Sequence, residues 1–461
     1  MARATAARAH PRRTLRTPGS NSDSRRAGTR LSPTFRALSN RNYRLYAAGA
    51  VVSNTGTWMQ RVAQDWLVLQ LTAGSGTALG ITTGLQFLPI LLLSPYAGLI
   101  ADRFPKRRLL QVTQLMIAVP AGVLGILAVT GVAQTWHVYI LAFVFGIGTA
   151  FDGPARQSFV SEMVGPEDLT NAVGLNSASF NAARVVGPAV AGVLIAALGG
   201  GVRATGAVIV LNAISYGAVV YSLQRMRAGD LDTPEPAGRE KGMIRDGVRY
   251  VWNRPDVMLV LAIVFFAGTF GLNFQMTSAL MATEVFHKGA TEYGLLGTTM
   301  AVGSLSGALL AARRGRPRHR LVILAGIAFG LSEIVAGLLP SYLTFAIWTP
   351  VLGLTALTMI TAANATVQLS VSPELRGRVM ALYMMIFMGG TPLGAPIVGW
   401  VGDTFGARWT LIGGGGMTVL GVLLAVALFS HSQGKSLRKA ERVGREPVGP
   451  GEVALDRAVS G

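Results

Sequence analysis

Apolar runs of about 20 residues, recurring from one end of the chain to the other, leave few folds open. One run covers about 79–100 and stops at Asp102; Arg103, Lys106, Arg107 and Arg108 follow at once, and another run begins at Leu109. Twenty helical residues cross the ~30 Å hydrocarbon core of a bilayer. Inside lipid each segment must satisfy its own backbone donors and acceptors, so every run is a helix. Composition agrees, with 51% of residues apolar and 14% charged, against about a quarter charged in soluble domains. The pattern predicts an all-α integral membrane protein embedded in a lipid bilayer.

Six runs, at about 43–70, 78–100, 109–131, 137–157, 171–198 and 205–223, precede a polar stretch. Six more follow, at about 256–283, 291–312, 320–339, 342–366, 379–401 and 409–430. This divides the chain into a basic disordered tail (1–42), a six-helix bundle (43–223), a linker (224–255), a second bundle (256–430) and a second basic tail (431–461). The Arg-rich start lacks the apolar core of a secretory leader. Even-numbered connections carry most of the Arg and Lys, whereas odd-numbered ones carry only Arg203, Lys288 and Arg408. Basic loops stay in the cytoplasm, so both termini are expected there, with the protein in a bacterial plasma membrane.

That arrangement accounts for the net charge of +19 without nucleic acid, since no basic folded module remains outside the apolar runs. With no cysteine in the chain, disulfides, thiol catalysis and Cys-ligated metals are excluded. No cofactor and no metal are expected.

The halves repeat. An offset of 207 positions aligns Pro166 and Glu167 with Pro373 and Glu374, Leu175 with Leu382, Gly187 with Gly394, and Gly192 with Gly399. Each half starts on the same side, so the repeat is parallel. Twelve transmembrane helices then form two six-helix bundles related by a pseudo-two-fold axis along the membrane normal, around a cavity near the midplane.

Gly98, Asp102, Arg103, Lys106 and Arg107 fit the loop motif between spans two and three of the major facilitator superfamily, which the chain resembles. Pro105 stands where that motif has a second glycine, and it too constrains a turn by fixing φ. Asp152, Pro154, Arg156 and Gln157, then Asn171 and Ala172, then Asn181, Arg184, Gly187 and Pro188 resemble the enterobactin-exporter and drug-efflux branch. Gly187, Pro188 and Gly192 partly match the fifth-span motif associated with antiporters, without its upstream glycine or its doubled final glycine.

The resemblance implies secondary active efflux of a small hydrophobic or siderophore-like molecule by alternating access, coupled to proton antiport, in a monomer without enzymatic activity. An importer or facilitated-diffusion carrier of the same fold is the alternative. An ATP-driven pump needs a first glycine where Phe429 precedes Gly434, Lys435 and Ser436. An intramembrane enzyme is remote, because no His-Glu-x-x-His occurs and Gly303–Gly307 has leucine at the nucleophile position. The resemblance also implies that Asp102 faces the start of the eleventh helix, near Arg376 and Arg378, and helps hold the cytoplasmic side shut. The matching loop at 311–316 keeps arginines but has no aspartate, so Asp102 is surplus to topology.

Ionisable residues within the runs are functional candidates, at roughly 2.5–3.5 kcal/mol each on insertion scales. Arg184 lies halfway along the fifth span, as a cavity or gating residue or as a structural donor between helices. Glu333 is either a protonatable coupling site or a residue facing water near the outer surface. Arg61 and Asp65, four apart, share a helix face as a neutralised pair in the outer vestibule or as a proton or substrate site. Asp152 and Arg156 have the same spacing and lie level with Asp102 and Arg103 as one inner charge cluster. Asn273, Gln275 and Asn364 are cavity candidates or packing contacts.

Overall fold

A computed structural model describes residues 32–232, 243–313 and 319–443. The expected tails at 1–31 and 444–461, the middle of the linker, and Arg314, Arg316 and Arg318 lie outside the described residues, as does the side chain of Asp102. The first bundle comprises α1 (Arg41–Leu71), α2 (Gly76–Arg103), α3 (Lys106–Thr130), α4 (Thr135–Met163), α5 (Pro166–Ala197) and α6 (Val202–Arg225). The second comprises α7 (Pro255–Val285), α8 (Ala290–Arg313), α9 (His319–Leu338), α10 (Tyr342–Ser370), α11 (Pro373–Phe405) and α12 (Ala407–Val443).

Eleven of these helices are long and apolar enough to cross a membrane among the described residues. The twelfth, α1, has the length but is diluted by Gln60, Arg61, Gln64, Asp65 and Gln70. Lipid does not meet these polar groups. Gln60, Gln64 and Asp65 are buried, with Gln60 bonded to Asn212 of α6 and Gln64 donating to Gln86 of α2 at 2.8 Å. Burial among neighbours makes a weakly apolar span tenable.

Three expected boundaries move. Residues 32–42 are not free tail: Pro33–Ser39 forms a 3₁₀ turn whose Arg36 pairs with Glu167 and Asp168 at 2.9 and 2.8 Å. Asn171 also accepts from the Ala37 amide at 2.9 Å, so this segment is clamped to the start of α5. The linker is not irregular throughout, because Met243–Trp252 is helical. Finally, α12 continues past residue 430 to Val443.

The span α7 is irregular within the membrane. It passes through π-helical turns at Ala267–Gly271 and Met281–Val285, the kind of bulge that collects at functional sites. Asn273 bridges the first break by donating to the Thr269 carbonyl at 2.8 Å. Gly394 of α11 seats the Thr269 carbonyl where any side chain would collide with it.

The halves meet along two seams, α2 with α11 and α5 with α8. Small residues let the backbones touch. Gly76 rests on Gly399, Gly80 on the Ala395 carbonyl, and Gly84 near Pro392 and Pro396. On the other seam Gly294 rests on the Pro188 carbonyl and Gly192 on the Ala290 carbonyl. These are equivalent contacts, since Pro188 and Gly192 align with Ala395 and Gly399 at the 207 offset. The partner helices follow a second offset, 214, which aligns Gly76 with Ala290 and Gly80 with Gly294. It also aligns Ala73 with His287, the two non-glycine residues with positive φ among the described residues, each at 51°.

A valine at Gly80 or Gly294 is expected to wedge its seam apart. Overpacking costs ~1–3 kcal/mol, about a tenfold shift in a two-state equilibrium for each 1.4 kcal/mol. Distances between spin labels on the α1–α2 and α7–α8 turns should lengthen; unchanged distances would show that the seam tolerates a side chain.

Candidate functional site

Between α1, α5, α7, α8 and α10 lies a cavity of about 220 Å³. Its apolar wall includes Val62, Leu272, Phe274, Met300 and Ile360, and its polar groups are Arg61, Arg184, Gln275, Ser278, Tyr293 and Ser304. Trp58 holds the cationic side together. The Arg61 guanidinium carbon lies 4.8 Å from its ring centroid, and that of Arg184 lies 5.6 Å from the same ring. Arg61 also sits 5.8 Å from the Phe87 ring. Such contacts contribute roughly 0.5–2 kcal/mol each. Arg184 reaches across the seam to the Ser304 hydroxyl at 3.4 Å.

Asp65 stands one hydrogen bond behind the cavity wall. It is 7% exposed and accepts from the Tyr293 hydroxyl at 2.8 Å. That bond joins α1 of one half to α8 of the other. The ring of Tyr293 stacks on Trp66, centroids 6.3 Å apart. Trp66 of α1 is thereby held in the contact between the two halves. Arg61 and Asp65 share a helix face as expected, yet they form no ion pair among the described residues, because Tyr293 takes the carboxylate.

The seams are not packed along their whole length. On the side of the α1–α2 and α7–α8 turns they are tight. Toward the basic end, where α2 meets α3 at Arg103, Lys106, Arg107 and Arg108, the contacts thin after Leu91 with Gly389 and after Arg184 with Ser304. Farther along α2 and α5, Gly98 and Gly174 have open space where a side chain would stand. Among the described residues, the close approaches between the halves thus run from the α1–α2 and α7–α8 turns to the level of Leu91 and Arg184.

The closed end is fastened by a carboxylate that sequence reasoning missed. Asp403, in the last turn of α11, accepts from the Gly76 amide at 2.6 Å, the Thr77 amide at 2.9 Å and the Ser75 hydroxyl at 3.0 Å. One half therefore caps the first turn of a helix in the other, where free amides and the helix dipole favour an anion.

The other expected site residues divide. Gln275 lines the cavity. Asn273 spans the break in α7, with its carbonyl oxygen buried and unpartnered. Asn364 accepts from Gln368 on its own helix at 2.7 Å and stays outside the cavity wall. Glu333 does not face water: it is 2% exposed, buried in the second half near Gly271 and Thr418, with Oε2 unpartnered. Gly187 packs on Trp58 and the Thr55 carbonyl of α1, which sets the height of the indole, while Pro188 and Gly192 build the seam.

The basic turn is bound within its own half. Lys106 is buried and pairs with Glu162 at 2.5 Å, while Arg107 donates to the Leu223 and Gln224 carbonyls at 2.6 and 3.0 Å. Asp152 accepts from Arg156 at 2.5 Å, Thr113 at 2.9 Å and Gln114 at 2.7 Å. The inner charge cluster therefore exists as an Asp152–Arg156 pair on α4 braced by α3, whereas Arg103 is exposed. Arg376 is exposed and Arg378 half-buried at the start of α11.

Comparison with known proteins gives the same class. Residues 32–456 match the family described as transmembrane secretion effector. The multidrug efflux pump Tap of Mycolicibacterium fortuitum is 28% identical over 372 residues, covering 79% of this chain and 90% of the relative. Macrolide efflux protein A of Streptococcus pyogenes is 25% identical over 380 residues, covering 81% and 92%. Among solved structures, a bacterial homolog of the human lysosomal transporter Spinster, in an inward-facing and occupied conformation, superposes with a TM-score of 0.64 at 18% identity, over 85% of this chain and 97% of that one. A D-xylose–proton symporter gives 0.64 at 12% identity, over 84% and 96%. The twelve-helix fold, its central cavity and the sequence match meet in one conclusion: this multi-pass membrane protein is an efflux transporter and belongs to the transmembrane secretion effector family of the major facilitator superfamily.

Proposed function

We propose that the basic end faces the cytoplasm and that the chain exports small amphipathic, drug-like molecules by alternating access, in exchange for protons. The glycine seams, close-packed at the end away from the basic turn, carry this reading: a cavity shut on that side loads from the cytoplasm and releases outward after the seams exchange roles. The names of the multidrug and macrolide efflux relatives support the substrate range. Loop charge supports the orientation.

Asp65 is the coupling carboxylate in this reading. It borders the cavity and accepts a side-chain hydrogen bond that ties α8 to α1. In the exchange cycle a proton taken up from outside after substrate release is carried on Asp65 as the outer end closes, and its loss to the cytoplasm restores the carboxylate that the Tyr293 hydroxyl serves here. Glu333 supports a second route, since an embedded carboxylate oxygen without a partner is costly unless neutral.

Proteoliposomes with an imposed pH gradient test the reading. Transport of chloramphenicol, a neutral one-ring drug that the gradient alone does not redistribute, should follow the gradient in the wild type, and Asp65→Asn should retain binding while losing at least ~tenfold of the gradient-driven rate, the effect of removing an obligatory proton carrier. If Glu333→Gln abolishes coupling and Asp65→Asn does not, the second route holds. Uptake into whole cells would overturn the direction.

A further inference from the structure

The cavity carries two cations and no anion of its own. Arg61 and Arg184 flank one indole, at 4.8 and 5.6 Å, and no Asp or Glu is among the residues that line the space. Neither arginine forms an ion pair among the described residues. The nearest carboxylate on the same helix, Asp65, is held by Tyr293. The remaining wall is largely apolar, with Val62, Phe274, Met300 and Ile360 opposite the guanidiniums.

Two like charges in a partly desolvated, apolar pocket are costly unless an anion joins them. Cation–π contact with Trp58 offsets a fraction of that cost. It also fixes both guanidiniums against one rigid plane, so less side-chain freedom is lost when a ligand arrives. Their planar donors suit a bidentate oxyanion such as a carboxylate or sulfonate.

We infer that the central cavity selects amphipathic organic anions, with the anionic group between Arg61 and Arg184 and the apolar body against α7, α8 and α10. The cavity volume of about 220 Å³ admits a one- or two-ring compound and excludes a phospholipid. Substrate entry then offsets one of the two charges and bridges the pair, and loading the cavity lowers the cost of bringing the two arginines together as the halves rock. This specificity rests on the cavity being the transport site.

A charge series on one ring system tests it: naphthalene-2-sulfonate, 2-naphthol and trimethyl(2-naphthyl)ammonium. Equilibrium dialysis against the full-length protein in neutral-lipid nanodiscs removes lipid anions as competitors. The sulfonate should bind at least ~tenfold more tightly than the naphthol, and the ammonium weakest, as expected for a charge-assisted contact. Arg61→Gln and Arg184→Gln should each weaken the sulfonate by about tenfold and leave the naphthol within about twofold, a pattern that general misfolding does not give. Equal binding across the series, or no detectable sulfonate binding, overturns the inference, and the wild-type series decides this even where a variant fails to fold. Gradient-driven transport of neutral chloramphenicol, measured in parallel, separates the outcomes: if it persists while the series shows no preference, anion selection falls and the export function stands.

Discussion

Replacing Glu162 by glutamine is expected to cost the fold about 3–5 kcal/mol, the usual penalty for stranding one member of a buried ion pair. Lys106 opens α3 and Glu162 closes α4; their side chains are 8% and 2% exposed and meet at 2.5 Å. Glutamine has nearly the same shape but leaves the ammonium facing a neutral amide, in a position where water cannot replace the lost charge. Unfolding in micelles by denaturant, or the midpoint of thermal unfolding, should register the loss. Joint replacement of Lys106 and Glu162 by methionine is expected to recover most of it, because a matched apolar pair has no charge to desolvate. If the single variant is as stable as the wild type, water reaches Lys106 and the pair is a surface contact.

Lys106 also marks how far the sequence could be read. As one of several bases between two apolar runs, it was visible as a topology signal; its burial was not, because that depends on Glu162, 56 residues away. Arg184 was legible for the opposite reason, since a charge halfway along an apolar span stands out on cost alone. Trp58 was legible only as part of the first-span resemblance to the exporter branch; its place between two arginines was not, because an aromatic residue inside an apolar run is ordinary. The repeat was legible on α5 and α11, where Gly187 and Gly192 recur as glycines. It was hidden on α2 and α8, where one seam uses Gly76 and the other Ala290. There the backbone path is preserved, down to the left-handed Ala73 and His287, while the side chains differ.

Asp403→Asn is expected to shift the conformational equilibrium toward opening at the end now closed, by about 2 kcal/mol or roughly 30-fold, given the usual size of charge-assisted bonds and helix caps. Asp403 fastens α11 to the first turn of α2 through three hydrogen bonds, and asparagine keeps the shape while losing the charge that those amides and the α2 dipole favour. The two helices run antiparallel, so the same arrangement is available at the opposite end. Asp102 is the penultimate residue of α2 and α11 begins at Pro373. On this reading α2 and α11 carry a reciprocal pair of latches, each a carboxylate in one helix's last turn serving the other helix's first, and only one can be engaged at a time. Asp102→Asn should therefore shift the equilibrium the opposite way, and the double variant should return toward the wild-type balance with faster exchange, because both end states lose a similar amount while the barrier between them loses less. Spin-label distances across both ends of the α2–α11 seam would record all three outcomes. A same-direction shift for the two single variants would mean that the carboxylates do not oppose each other, and the latch pair would have to be abandoned.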